Sequence, residues 1–107
     1  MDKKNVLDII SRFRTALEKN GIKIGKIILY GSWSKNSYSE SSDIDLVVLS
    51  EEFASKDYWE RIDILTAAIH EIFEPIEAVA MTPEEFENGD SFIGMFAKDG
   101  EIVYGQS

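Results

Sequence analysis

The sequence predicts an α/β protein of the α+β type, in which a mixed sheet of three to four strands packs with helices. Short apolar runs bounded by polar residues or glycine are typical of buried strands. Longer segments in which apolar residues recur every three or four positions are typical of helices that cover a sheet. One such helical segment lies between two apolar runs and is long enough to be a crossover connection, which is the kind of connection that joins parallel strands. We therefore expect a mixed sheet rather than a purely antiparallel one.

The length and composition limit the class of protein. A chain of 107 residues can form one domain with a real core but not two, so we expect a single domain spanning residues 1–107. The chain has no cysteine, which excludes disulfides and thiolate metal sites. No stretch is long and apolar enough for a membrane span, and the N-terminus lacks a signal-peptide core. We therefore expect a cytoplasmic protein with no membrane partner.

The charge of the chain restricts its partners. Its 20 acidic and 11 basic residues give a net charge of −9, and the basic residues do not cluster. An acidic surface repels a phosphate backbone, so direct nucleic-acid binding is not expected. A small nucleotide, with a protein or a small molecule as its acceptor, fits this charge better. The acidity is also compatible with a role in solubility alone, and the composition leaves both interpretations open.

The first helix and the first strand follow from their apolar residues. The helix has an apolar stripe at offsets of 0, 3, 4, 7 and 11 residues, formed by Val6, Ile9, Ile10, Phe13 and Leu17. Asn20 and Gly21 provide a stop, because both tolerate the left-handed conformation at a helix end. The first strand is Lys26–Tyr30, whose nearly continuous apolar run predicts burial on both faces.

The second strand covers residues 43–49 and is apolar on both faces beyond its start, which is typical of a central strand. Residues 50–56 are predicted to form a loop. A helix follows over residues 57–74, opening with a capping box in which Glu60 is the reciprocal partner. It ends by Glu74, because Pro75 disfavours helical geometry in the residue before it.

The remaining segments complete the predicted sheet. The third strand is Ile76–Met81, and a helix capped by Thr82 follows and ends by Gly89. A second short helix is predicted over residues 91–98. The last strand is Glu101–Tyr104, which follows an Asp-Gly turn.

The residues between the first two strands form the candidate site. Gly31 and Ser32 follow the first strand, and after ten residues Asp43 and Asp45 open the second. Gly31 lets the backbone approach a ligand closely, and Ser32 can offer its hydroxyl and amide to a phosphate oxygen. The two carboxylates lie on one face of the strand, about 7 Å apart along the chain. Their repulsion would be relieved by a divalent cation, preferably Mg²⁺.

Two further residues are candidates for the same site. Lys35 lies in the loop after Ser32 and could contact a phosphate, although a solvated loop lysine is the alternative interpretation. Glu77 lies near the start of the third strand. If that strand is parallel to the second, Glu77 reaches the same edge of the sheet as Asp43 and Asp45. The alternative is that Glu77 is one more surface acid.

The pattern Gly-Ser, ten residues, Asp-x-Asp between two apolar runs resembles the signature of the minimal nucleotidyltransferases. These are small single-domain members of the superfamily that includes DNA polymerase beta. The resemblance implies the nucleotidyltransferase fold, with Asp43 and Asp45 as ligands shared by two Mg²⁺ ions. It also implies a third carboxylate on a neighbouring strand, where Glu77 stands although the family more often has aspartate. The alternative is a solvated acidic turn in an unrelated domain.

The resemblance also implies a function. It implies Mg²⁺-dependent transfer of a nucleoside monophosphate, with AMP from ATP favoured, to a hydroxyl on a partner protein. Stand-alone members of this kind resemble the antitoxin of a pair whose toxin is an all-helical HEPN ribonuclease, and some transfer AMP to a tyrosine of that toxin. The alternative is a non-catalytic antitoxin that neutralises a HEPN ribonuclease by binding to it. The sequence does not decide between these two functions.

Overall fold

Four strands in the described part of the chain form one mixed sheet. The computed structural model describes residues 2–33, 43–88, 97 and 99–105, and its strands are β1 (Lys26–Tyr30), β2 (Ile44–Leu49), β3 (Ile76–Met81) and β4 (Glu101–Tyr104). Their order across the sheet is β3-β2-β1-β4. The predicted fold class is confirmed, and β1, β3 and β4 have the predicted bounds.

The described helices are α1 (Lys3–Lys19), α2 (Tyr58–Ile72) and α3 (Pro83–Asn88). Short 3₁₀-helical turns cover Gly31–Trp33 and Glu51–Ser55. Within the described ranges, no helix combines the length and the apolarity that a membrane crossing requires. The predicted helix over residues 91–98 lies outside the described residues, apart from Ala97.

The pairing of the strands brings the ends of β1, β2 and β3 together. Strands β1 and β2 are antiparallel, with Tyr30 opposite Asp45. Strands β2 and β3 are parallel, with Asp45 opposite Glu77. The parallel pair follows from α2, which carries the chain back so that β3 runs in the same direction as β2. The parallel pairing that the length of the crossover predicted is confirmed.

Helix α1 covers one face of the sheet through the predicted apolar stripe. The Asp2 carboxylate caps it by accepting a hydrogen bond from the Asn5 amide at 2.9 Å. Gly21, with φ of +93°, supplies the left-handed residue after the helix, whereas Asn20 has φ of −87°. The buried side chains of the helix are Val6, Ile9, Ile10, Phe13, Ala16 and Leu17.

Hydrophobic clusters lie on both faces of the sheet. The larger cluster joins α1 and α2 to alternate residues of β2, namely Ile44, Leu46 and Val48. The smaller cluster, on the other face, contains Ile28, Val47, Leu49, Met81 and Ala97. Strand β2 is therefore buried on both faces beyond its first residues, as predicted for a central strand.

Helix α2 begins with the predicted capping box and ends in an unusual conformation. The Asp57 carboxylate accepts a hydrogen bond from the Glu60 amide at 2.8 Å, and the Glu60 carboxylate accepts one from the Asp57 amide at 3.4 Å. The helix ends at Phe73, which has φ of 55° and ψ of 53°. A left-handed backbone is uncommon for a bulky residue.

Residues 50–56 are more ordered than the predicted loop. They contain the 3₁₀-helical turn Glu51–Ser55, with Ser50 as its cap. The Ser50 hydroxyl accepts a hydrogen bond from the Glu52 amide at 3.2 Å and donates one to the Lys23 carbonyl at 2.7 Å. Phe53 is fully buried and anchors the turn. The prediction was wrong here because a cap and one buried side chain, rather than a periodic pattern, hold this segment.

Candidate active site

Three polar side chains form a row across the sheet at the end of β1 and the start of β2 and β3. Tyr30 is paired with Asp45, and Asp45 is paired with Glu77. Directly paired residues project to the same face of a sheet, so these three side chains are neighbours. Asp43 precedes Asp45 by two residues and is exposed at the same edge. The structure thus pairs Asp45 with Glu77, and it leaves Asp43 exposed at the same edge of the sheet.

The carboxylates of this row interact strongly. The pKa of Asp45 is raised from 3.8 to about 6. Burial is the largest cause, followed by the charge of Glu77, a hydrogen bond with Glu77 and the charge of Asp43. Burial also raises the pKa of the Tyr30 hydroxyl, with smaller contributions from Asp45 and Glu77. The row is therefore a region of concentrated negative charge, and a cation would stabilise it.

Gly31 packs directly against the Asp45 carboxylate. Its φ is +74°, a backbone conformation that residues other than glycine rarely adopt. A Cβ atom at this position would also collide with Asp45 Oδ2. Gly31 is therefore needed both for the turn and for the close approach of its backbone to the carboxylate.

The turn that contains Gly31 is fixed to the core. Gly31–Trp33 is a 3₁₀-helical turn, and the Trp33 side chain is fully buried in the larger hydrophobic cluster. Ser32 lies between these two residues, so its backbone is held at the same edge as Asp45. Lys35 lies outside the described residues.

Tyr30 is the member of the row that the sequence analysis did not single out. Tyr30 is the last residue of the apolar run of β1. Its ring packs against the smaller cluster, and its hydroxyl is polar. An antiparallel pairing of the first two strands places the residue before Gly31 opposite the start of β2, so the position of Tyr30 follows from that pairing. The identity of its partner depends on the register, which the apolar pattern did not determine.

The chemistry of the row fits a magnesium ion. Carboxylate oxygens are the hard ligands that Mg²⁺ prefers, and Asp43, Asp45 and Glu77 supply no other donor type. Among the residues that the structure describes, no three acidic, histidine or cysteine side chains stand in an arrangement that could hold a metal ion. The close pair is Asp45 and Glu77, with Asp43 further out at the edge.

The chain matches a known family over most of its length. Residues 10–99 match the family model described as the nucleotidyltransferase domain. A candidate protein adenylyltransferase of Methanocaldococcus jannaschii is 31% identical over 98 residues. That similarity covers 89% of this chain and 94% of the relative, so it extends well beyond the Gly-Ser and Asp-x-Asp residues.

Solved structures share the fold. A candidate nucleotidyltransferase from Sulfolobus solfataricus superposes with a TM-score of 0.73 at 13% identity, over 94% of this chain and 80% of that chain. A chain from the complex of the tri-AMPylated Shewanella oneidensis HEPN toxin with its MNT antitoxin gives 0.58 at 19% identity, over 92% and 71%. The fold, the family model and the relative agree. The chain belongs to the nucleotidyltransferase domain family, and its enzyme class is nucleotidyltransferase.

Proposed function

We propose that this protein is a Mg²⁺-dependent nucleotidyltransferase that moves a nucleoside monophosphate, AMP from ATP in the first instance, to a hydroxyl on a partner protein. The observation that carries the proposal is the register that pairs Asp45 with Glu77 while Gly31 packs against Asp45. The turn that contains Gly31, which we propose as the phosphate-binding element, lies beside the Asp45 carboxylate. The candidate protein adenylyltransferase from M. jannaschii supports the choice of AMP and of a protein acceptor.

Each residue of the site has a proposed role. Asp43, Asp45 and Glu77 hold Mg²⁺, with two ions expected, and Gly31 and Ser32 bind the phosphates. Lys35 is a further phosphate contact in the proposal. Mg²⁺ held by these carboxylates would supply charge that lowers the pKa of an attacking hydroxyl and neutralises the triphosphate. In the transfer, the acceptor oxygen bonds to the α-phosphorus, the bond from that phosphorus to pyrophosphate breaks, and the hydroxyl proton passes to a carboxylate or to water.

The partner in this proposal is a HEPN-domain protein. Support comes from the S. oneidensis complex, in which an AMPylated HEPN toxin is bound to an MNT antitoxin. The net charge of −9 favours a partner with a basic surface and disfavours direct binding of nucleic acid. We also propose that residues 1–107 act as one cytoplasmic domain. The four described strands form one sheet, and α1 packs on that sheet through the larger cluster.

The transfer is tested directly with labelled ATP. The purified protein is incubated with ATP labelled at the α-phosphate, Mg²⁺ and a purified HEPN-domain protein from the same organism. The proposal expects label on the HEPN protein, and none when Asp43 and Asp45 are both replaced by asparagine. If wild type transfers no label, or if the double variant labels the acceptor equally well, the catalytic proposal is wrong.

A second candidate function is neutralisation of the toxin by binding alone. It is favoured by the arrangement of the described carboxylates, which forms a close pair rather than a group of three metal ligands. Co-expression with the toxin distinguishes the two functions. If the Asp43→Asn/Asp45→Asn variant still binds the toxin and still relieves toxicity, neutralisation is by occlusion. If binding persists and relief is lost, neutralisation needs the transfer reaction.

A further inference from the structure

Phe73 combines two features that destabilise a folded protein. Its backbone is left-handed, with φ of 55°, and its side chain is 89% exposed. Glycine or asparagine is the usual residue at such a helix end, because either adopts this conformation at a lower cost. An exposed phenyl ring gains little from contacts within the chain. Phe73 therefore has a conformational cost without a matching intramolecular benefit, which points to a use outside the fold.

A shallow concavity lies beside the Phe73 ring. It has a volume of about 400 Å³, and its surface is mostly apolar. We name it the Phe73 corner and define it by its lining residues, Ile69, His70, Phe73, Glu74 and Pro75. The concavity is large enough for one apolar side chain of a partner.

The Phe73 corner adjoins the candidate active site. The Pro75 carbonyl accepts a hydrogen bond from the Ile44 amide at 2.9 Å, and Ile44 lies between Asp43 and Asp45. Glu77 follows Phe73 by four residues, so their Cα atoms are at most about 14 Å apart. The corner lies at the start of β3, which is the outermost strand on this side of the sheet. The carboxylate row projects to the face of the sheet opposite α2, so a polypeptide bound at the corner would reach the row around the edge formed by β3.

The charges around the corner identify the occupant. Asp43 and Glu77 are exposed nearby, and Glu74 belongs to the corner itself. Glu74 forms an ion pair with Arg12 at 2.8 Å. Among the described residues, Asp43 and Glu77 have no basic side chain in an ion pair with them, and no cation is assumed at the row here. A nucleotide without a bound cation is anionic and would be repelled by these carboxylates. An apolar side chain flanked by lysine or arginine is complementary to it.

We propose that the Phe73 corner is the docking surface for the acceptor protein. An apolar side chain of the acceptor, flanked by basic residues, seats in the concavity and holds the acceptor hydroxyl near Asp45 and Glu77. This inference rests on the proposed transferase function, and it adds the surface that selects the acceptor. Phe73 is a docking residue in this scheme and takes no part in the chemistry.

The test uses substitutions that improve the fold while removing the ring. Phe73→Gly and Phe73→Asn relieve the left-handed strain, so the melting temperature is expected to rise by about 4 °C. The KM for a purified HEPN-domain acceptor is expected to rise about tenfold or more, because an anchoring aromatic is lost. The KM for ATP and the maximal rate of transfer at saturating acceptor stay unchanged. A structural role alone would not couple higher stability to weaker acceptor binding.

Trp59 provides the matched control. It is an exposed aromatic on the same helix, with 70% of its surface accessible, at the end of α2 away from the Phe73 corner. Trp59→Ser therefore removes a similar apolar area from a similar setting. The inference expects unchanged KM values for the acceptor and for ATP. An equal loss with Trp59→Ser and Phe73→Gly would overturn the assignment of the corner as the docking surface.

Direct binding separates this inference from the proposed function. The Asp43→Asn/Asp45→Asn variant, with and without Phe73→Gly, is titrated with the same HEPN protein by calorimetry. If wild type transfers no label but binding still weakens when Phe73 is replaced, the docking surface stands and the transferase proposal fails. If transfer occurs and Phe73→Gly changes neither the KM nor the affinity, the docking inference fails alone. A dimer of this chain that dissociates on Phe73→Gly in sedimentation would also overturn it, because the corner would then be occupied by a second copy.

Discussion

Asp45 on β2 and Glu77 on β3 are directly paired in parallel register and share a hydrogen bond between their side chains. Two carboxylates can share such a bond only when one of them carries a proton, so the pair retains a proton at a higher pH than an isolated carboxylate would. The raised pKa of Asp45 is the result. The pairing of Asp45 with Glu77 affects the stability of the fold, the proposed catalysis and the register of the sheet.

The free energy of unfolding should depend on pH through Asp45. Its pKa in the folded protein, about 6, lies above the ordinary value of 3.8, so its stabilising contribution is complete below about pH 4 and is lost as the pH rises through about 6. The shift corresponds to about 3 kcal/mol, and solvent screening of this partly exposed group reduces the expected effect to about 1 kcal/mol.

Urea unfolding in the presence of EDTA measures this effect. Wild type should lose about 1 kcal/mol relative to Asp45→Asn between about pH 4 and about pH 7.5. The comparison with asparagine cancels the titration of groups elsewhere in the chain. A difference between the two proteins that is the same at both pH values would show that the Asp45 pKa is not raised.

Replacing Gly31 by alanine should damage both the fold and the site. The left-handed backbone would be strained, and the new Cβ would collide with the Asp45 carboxylate. We expect a loss of about 2–3 kcal/mol in the free energy of unfolding, with transfer reduced at the same time. Gly21→Ala is the matched control, because Gly21 also has a positive φ but has no atom within 4 Å of an added Cβ. It should lose only about 1 kcal/mol, and equal losses would show that the collision does not matter.

Glu77→Gln should lower the rate of transfer about 100-fold or more, while the affinity for ATP changes little. In the proposed site, the Gly31 turn and a cation bound by Asp43 and Asp45 would still hold the phosphates. Removing the charge of Glu77 should also lower the pKa of Asp45, because that charge helps to raise it. Steady-state kinetics measures the first effect, and an NMR titration of the Asp45 carboxyl measures the second.

Glu87→Gln on α3 is the control for Glu77, because Glu87 is exposed and lies outside the carboxylate row. It should leave both the rate and the Asp45 titration unchanged. Unchanged transfer in Glu77→Gln would remove Glu77 from the site and would favour neutralisation by binding alone.

Arg61 should contribute more to stability than the other arginine ion pairs. Its guanidinium donates to the carbonyls of Phe53 and Lys56 and pairs with the Glu85 carboxylate at 2.8 Å, and only 17% of its side chain is exposed. Arg61→Met leaves these acceptors without a donor and should cost about 2–3 kcal/mol. Arg12→Met removes a more exposed pair and should cost less than about 1 kcal/mol. Chemical denaturation of both variants measures the loss in the free energy of unfolding. A larger loss in Arg12→Met than in Arg61→Met would contradict the prediction.

The apolar pattern predicted the fold more completely than it predicted the site. Strand β2 and helix α2 were identifiable because an apolar stripe, a capping box and a proline each limit where an element can lie. The pairing of Asp45 with Glu77 was predictable only as a shared sheet edge, since one-residue differences in register depend on tertiary packing. The raised pKa of Asp45 and the contact of its carboxylate with Gly31 follow from that register, so neither was visible in the sequence.

The end of α2 shows another kind of limit. Pro75 predicted correctly that the helix would stop by residue 74, but the left-handed backbone of Phe73 could not be inferred, because phenylalanine is a poor residue for that conformation. Tyr30 was missed for a related reason. Its side chain is both apolar and polar, and the pattern recorded only the apolar part.

The carboxylate row also acts as a check on the assembly of the sheet. Side chains alternate between the two faces of a strand, so a slip of β2 by one residue would turn Asp45 towards the face that α1 and α2 cover. A carboxylate buried there, among the side chains of the larger cluster, would lack a partner and would be strongly unfavourable. The misregistered sheet is thus penalised by the same side chain that we propose as a metal ligand. Substituting Asp45 by an apolar residue would remove this penalty, so such a variant should populate slipped forms of the sheet that wild type excludes.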